Sequence, residues 1–255
     1  MAKGINKLKL FSIFFLILFA SCARGPVYKT VPPSRKVERP KPPPVMRKDL
    51  VHTVGPGETV WRIAKMYDVD SETVVRKNKI RDPREVEMGQ ELVVPQAAPI
   101  RPVINLYPTS KWKYIIIHHS ATDMGNALAF NRSHNLRGFT HGLGYHFVID
   151  NGTKGKFDGQ IEVSPRWLKK RDGAHCRAGG MNSKAIGVCL VGNFNSGKIT
   201  QKQMDSLVYL VNRLRKYYNI PKNKILGHGQ VRGARTDCPG KEFPWSQFWS
   251  SLNKK

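Results

Sequence analysis

Two proline-rich stretches divide this chain, because proline has no amide hydrogen to give to a helix interior or a sheet ladder. Residues 23–50, ARGPVYKTVPPSRKVERPKPPPVMRKDL, hold seven prolines and eight lysines or arginines, with no hydrophobic period to build a core. Such chain rises about 3.1 Å per residue, so the segment could reach on the order of 80 Å. It reads as a stiff basic tether, or equally as a spacer of no selected length. A second break, QAAPIRPVINLYPTSK at 96–111, has three prolines and separates two folded pieces. The resulting order is a leader at 1–21, a tether at 22–50, a small domain at 51–96, a linker at 97–111 and a larger domain at 112–255.

In the leader, Lys3, Lys7 and Lys9 precede the apolar run LFSIFFLILFA, residues 10–20. That run is short of the roughly 20 residues a bilayer span needs, and it has the form of a signal-peptide core. FASC, residues 19–22, resembles a bacterial lipoprotein cleavage site, although Phe19 stands where an aliphatic residue is usual. The resemblance implies that Cys22 becomes the acylated amino terminus. The chain is then expected in the cell envelope, lipid-anchored, at the outer membrane facing the periplasm if the cell is Gram-negative. Ala23 lacks the aspartate that marks inner-membrane retention.

The formal charge is +25, and losing the three leader lysines leaves +22. Such a surface attracts any polyanion. An exported chain meets acidic wall polymers and anionic lipid heads rather than nucleic acid, and no nucleic-acid motif accompanies the charge. The charge therefore reads as envelope adhesion, with membrane contact through the anchor and no nucleic-acid partner. A monomer is expected.

In the small domain, Val51–Val54 is strand-like, Gly55, Pro56 and Gly57 turn, and Val60, Ile63, Ala64 and Tyr67 recur at helical spacing. A second short helix over Ser71–Lys77 and the β-rich ELVVP complete a strand–helix–helix–strand unit. So small a core leaves little room for an internal active site, and a binding module follows. GETVWRIA, Asn78 with Ile80, and GQELVVP closely resemble the lysin-motif (LysM) domain. The resemblance implies binding to N-acetylglucosamine-containing glycans such as peptidoglycan or chitin, through the turn Gly57–Thr59 and the loop Ile80–Asp82. Thr59 and Ile80 are the substrate-contact candidates there, against the plainer roles of helix cap and core residue.

The larger domain alternates strands and helices. KYIIIHHSAT (113–122), GLGYHFVIDNGTKG (142–155), SKAIGVCLVGNF (183–194) and KILGHG (224–229) are apolar stretches of strand composition, the second closing on an Asn151–Gly152 hairpin turn. Thr200 can cap a long helix whose Met204, Leu207, Val208, Val211, Leu214 and Tyr218 share one face. The fold class is α/β, a sheet covered by helices. Side chains alternate along a strand, so His118 and His119 do not both enter one pocket easily. His118, His228 and Cys238, the last beside the Pro239–Gly240 turn, form a possible zinc set.

HHSAT, GYHF, GAHC, IGVCLVGNF and TDCPG occur in the order and at nearly the separations of the zinc amidases of the phage-lysozyme and peptidoglycan recognition protein superfamily. The resemblance spans roughly residues 112–250 and implies a central mixed sheet flanked by helices. It also implies N-acetylmuramoyl-L-alanine amidase activity with Zn2+ as cofactor and peptidoglycan, glycan strands and stem peptides alike, as partner. Carried over by position, the ligands are His118, His228 and Cys238, and the catalytic helpers are Tyr145 and Thr236. His175 lies where relatives line the cleft and is assigned to substrate contact or to structure. The interval from His228 to Cys238 is about two residues longer than in many relatives, and the extra Gly233 and Arg235 can alter the cleft rim. His119 and His146 read as packed, Cys189 as a buried small hydrophobe, and a Cys176–Cys189 disulfide stays open. The rival reading is a non-catalytic peptidoglycan-binding lipoprotein that ties wall to membrane.

Overall fold

A computed structural model describes residues 46–253. The leader, Cys22 and most of the tether lie outside the described residues.

The smaller unit runs β1 (Lys48–Thr53), α1 (Val60–Met66), α2 (Ser71–Lys77) and β2 (Glu91–Ala97), with β1 and β2 antiparallel. β1 begins ahead of the expected boundary at 51 because Lys48 pairs with Ala97 and the Asp49 carboxylate accepts from the Gln96 amide at 2.9 Å. Thr59 and Asp70 cap the two helices, accepting from Arg62 N and Thr73 N. Val54, Ile63, Tyr67, Val74, Leu92 and Val94 fill the core.

The larger unit runs β3 (Tyr114–His119), α3 (Ala127–Leu136), β4 (Phe147–Asn151), β5 (Asp158–Val163), α4 (Pro165–Leu168), α5 (Met181–Lys184), β6 (Ala185–Leu190), α6 (Gln201–Tyr217), β7 (Ile225–Gly227) and α7 (Trp245–Asn253). The sheet order is β5-β4-β6-β3-β7, with β5 antiparallel to β4 and the other neighbours parallel. This is the expected central mixed sheet flanked by helices. β3 lies between two strands and is covered on both faces, so Ile115, Ile116 and Ile117 are all fully buried.

α6 starts at a capping box in which Thr200 and Gln203 satisfy each other's backbone amides. Met204, Leu207, Leu210, Val211 and Leu214 of its inner face are fully buried, with Val208 and Tyr218 at the margin. The strand expected within 142–155 is shorter and begins only at Phe147. The amides of Leu143 and Gly144 donate instead to Asn131 Oδ1 and His134 Nδ1 of α3, both at 2.9 Å, which holds 142–146 as a loop.

The linker is stitched down on both units. Arg62 donates to Val103 O, Trp167 Nε1 donates to Asn105 O at 2.8 Å, and Ile104 is buried in the larger core. The Tyr218 hydroxyl accepts from Tyr107 N at 3.2 Å and donates to Tyr107 O at 3.1 Å.

Candidate metal centre and cleft

The site lies at the carboxyl ends of β3 and β7, where parallel strands commonly leave a crevice. Ile117 of β3 is in register with Gly227 of β7, so His118, still in β3, and His228, just past the end of β7, come side by side, with ring centroids 4.8 Å apart. Cys238 arrives on the returning loop, pinned where Gly229 N donates to Cys238 O at 2.7 Å. Two residues later Gly240, at φ +113°, passes so close to the Phe194 backbone that a Cβ would sit 2.2 Å from its carbonyl carbon.

His118 Nδ1 is 3.6 Å from Cys238 Sγ, and the ligand atoms of His118, His228 and Cys238 all lie within 4.8 Å of one another. Among the described residues this is the one group of three or more His, Cys, Asp or Glu close enough to hold a metal ion. His118 is 1% exposed and Cys238 8%, while His228 is half-buried, so the set opens to solvent on the His228 side.

The electrostatics fit a divalent cation. Burial, then the neighbouring His175 and His228, holds His118 well below the ordinary histidine value, and burial lowers His228 as well. Both rings are therefore neutral and able to offer a lone pair. Burial pushes the Cys238 thiol up to about 12, although the His119 amide donates to its sulfur at 3.4 Å. A thiolate in this place needs a cation beside it. Two imidazoles and one sulfur with no carboxylate suit zinc, which accepts N and S ligands and keeps a fourth position for water.

Each helper candidate lies beside one of the three. The half-buried Tyr145 ring lies 5.1 Å from the His118 ring. Burial, followed by the Cys189 and Cys238 sulfurs, raises its phenol well above the usual value, so it keeps its proton. Thr236 is exposed, and its hydroxyl accepts from Cys238 N at 3.2 Å, which leaves the hydroxyl hydrogen free to donate. His175 is buried beneath the metal set, with Nδ1 2.9 Å from His118 Nε2 and Nε2 3.3 Å from Ala185 O. His119 and His146 are packed, their Nδ1 atoms accepting from Phe194 N at 3.1 Å and Gly187 N at 3.0 Å. Cys176 and Cys189 are both free thiols.

Beside His175 and His228 a cleft of about 800 Å3 opens, with Arg137, Arg177 and Arg235 exposed along it and no carboxylate among its lining residues. Gly233 and Arg235 stand on its wall, where the longer loop was expected to alter the rim.

Sequence reasoning missed the residues that hold this geometry. The Arg166 guanidinium donates to Leu143 O, Thr140 O and Asp172 O, fixing the loop that carries Tyr145. Asn182 Oδ1 accepts from both His175 N and Cys176 N. Such bonds from a side chain to distant backbone leave no periodic trace in a sequence.

In the smaller unit, Thr59 Oγ1 is engaged as the cap of α1, and half-buried Ile80 packs against the core. Pro165 and Leu168 of α4 approach the turn at Gly57 closely, within 3.3 Å of where a Cβ would stand.

Comparison with known proteins agrees with both units. Residues 52–95 match the LysM domain, and residues 108–241 match N-acetylmuramoyl-L-alanine amidase. Peptidoglycan-recognition protein 2 of Holotrichia diomphalia is 31% identical over 158 residues, covering 58% of this chain and 78% of that protein. The endolysin of Enterobacteria phage K11 is 32% identical over 102 residues, 38% of this chain and 58% of the endolysin. Among solved structures, N-acetylmuramoyl-L-alanine amidase LysC from Clostridium intestinale is 30% identical, covering 61% of this chain and 96% of that one, with a TM-score of 0.46. With more than half of its residues matched, the chain carries a LysM domain and belongs to the N-acetylmuramoyl-L-alanine amidase family.

Proposed function

We propose that the chain is a zinc-dependent peptidoglycan hydrolase that cleaves the amide between N-acetylmuramic acid and the L-alanine of the stem peptide. The observation that carries this reading is the convergence of His118, His228 and Cys238, ligand atoms within 4.8 Å, with His228 also lining an arginine-rich cleft. These three residues would hold the metal. Zinc bound there would supply a water acidified to a pKa of about 7 and a Lewis acid for the carbonyl.

The rest is done by the chain itself. The reaction adds water across the amide, so negative charge grows on the carbonyl oxygen before the C–N bond breaks. Tyr145, which keeps its phenolic proton, and Thr236, whose hydroxyl hydrogen is free, are the donors for that oxygen. Arg137, Arg177 and Arg235 suit a substrate that bears carboxylates, as stem peptides do. The LysM domain supplies a second grip on the glycan through the Gly57–Thr59 and Ile80–Asp82 segments, and raises the effective concentration of enzyme on insoluble wall. Acylation at Cys22 would hold both domains at a membrane. Cys22→Ser should then release the chain from washed membranes, and a variant that still fractionates with them counts against the anchor.

The test of the activity is incubation of purified wall with the protein, with and without a zinc chelator. New amino-terminal alanine should appear with the metal-loaded protein, with no new reducing ends. Wall that is bound but yields no alanine amine would leave a non-catalytic tethering lipoprotein as the function.

A further inference from the structure

We propose that His175 is a positioning residue that fixes the tautomer of His118 and thereby turns the Nδ1 lone pair of His118 toward the metal. The inference rests on the zinc reading above and concerns a residue outside the ligand set.

The His175 ring sits in a slot made for it. A Cβ at Gly173 would fall 2.3 Å from His175 Cδ2, and one at Gly187 would fall 2.5 Å from the same atom. Real Cβ atoms do not approach that closely, so both glycines are needed for the ring to lie where it does. The backbone is fixed too, since His175 N and Cys176 N both donate to Asn182 Oδ1, at 2.8 and 2.7 Å.

The hydrogen-bond roles follow by elimination. His175 Nε2 faces the carbonyl of Ala185 at 3.3 Å, and a carbonyl can only accept, so Nε2 carries the proton. The ring is buried beside His118 and His146, and among the described residues no Asp or Glu carboxylate forms an ion pair with it that would hold a second proton. A neutral imidazole has one N–H, so His175 Nδ1 is an acceptor. The proton in the 2.9 Å contact between His175 Nδ1 and His118 Nε2 therefore belongs to His118. Neutral His118 is left with a bare Nδ1, and that is the nitrogen 3.6 Å from Cys238 Sγ. The chain Ala185 O, His175, His118 thus selects one of two tautomers before any metal arrives. Without it His118 would divide between them, and metal binding would have to make the selection.

The test compares His175→Leu and His175→Gln with the wild type in the full chain, measuring zinc affinity by competition with a chromophoric chelator. His175→Leu should weaken zinc by roughly 10- to 100-fold, the usual effect of losing the partner of a ligating histidine. His175→Gln, whose side-chain oxygen can accept from His118 Nε2, should recover part of that loss. Long-range 15N NMR of zinc-loaded wild type should show His118 protonated at Nε2 and metal-bound at Nδ1, which decides the matter even if His175→Leu does not fold. A folded His175→Leu that keeps wild-type zinc affinity, or a spectrum with His118 coordinating through Nε2, would overturn the proposal. A wild type that binds no zinc at all would sink the functional reading itself, and this inference with it.

Discussion

The ammonium of Lys156, in the hairpin between β4 and β5, lies 3.1 Å from the carbonyl oxygen of Thr53 in β1 and 3.1 Å from the carboxylate of Glu162. One cation of the larger unit thus binds a strand end of the smaller one, and both Lys156 and Glu162 are buried. Burial pulls the Lys156 amine down, but the charges of Glu162 and then Glu58 outweigh it, so the amine stays protonated. Asp150 beside them is fully buried, and burial followed by the Glu162 charge raises its carboxyl well above the ordinary range, so it keeps its proton.

Lys156→Met would leave the Glu162 carboxylate buried without its cation. Breaking one side of a buried pair costs about 3–5 kcal/mol, so thermal unfolding should come markedly earlier. Adding Glu162→Gln removes the stranded charge and should restore part of the stability. A single variant that loses less than about 1 kcal/mol would mean the pair behaves as an exposed one.

Glu58 makes the smaller unit sensitive to acid. Its carboxylate accepts from Gly55 N at 2.6 Å and lies 2.8 Å from His52 Nε2. Burial alone would raise its pKa, but the His52 contact, the Lys156 charge and the Gly55 amide bring it from 4.5 down to about 2. The folded value lies below the unfolded one, so this stabilisation is complete above 4.5 and is lost as the pH falls toward about 2. Denaturant titrations of wild type across that window should show falling stability, with a shallower slope in Glu58→Gln. Equal slopes would remove Glu58 as the cause.

Tyr145→Phe keeps all three ligand side chains and deletes one hydroxyl near the reacting centre. Zinc content should stay near one per chain while turnover drops roughly 10²- to 10³-fold, as for the loss of one oxyanion donor. Single-turnover kinetics beside metal analysis would check this, and an unchanged rate with zinc bound would make Tyr145 a packing residue.

What could be read ahead of the structure was whatever repeats along the chain. The run KYIIIHH announces a central strand because burial on both faces asks for apolar residues at every position. Strand alternation already separates His118 from His119, and His119 does turn away to Phe194 N. α3 was not legible, since its buried positions include Asn131 and His134, which serve the loop at 143–144 instead of forming an apolar stripe. β5 hides for a related reason: Gln160 and Glu162 are buried polar residues in a strand of only six. The candidate group His118, His228 and Cys238 was named through its surrounding motifs, because the fold, not spacing, brings Cys238 to His118. The contact between His175 and His118 has no sequence signal at all.

The central claim is that the thiol of Cys238 exists to hold a metal that the reaction needs. Cys238→Ser offers a hydroxyl where a thiolate is required, so it should lose zinc and, with it, release of L-alanine from purified wall. Zinc analysis of purified wild type and variant, run beside alanine-amine release and a check by circular dichroism that the fold is kept, tests this directly. The account predicts near-stoichiometric zinc and alanine release for wild type and neither for a folded Cys238→Ser. A folded, zinc-free Cys238→Ser that still frees L-alanine at the wild-type rate would contradict it.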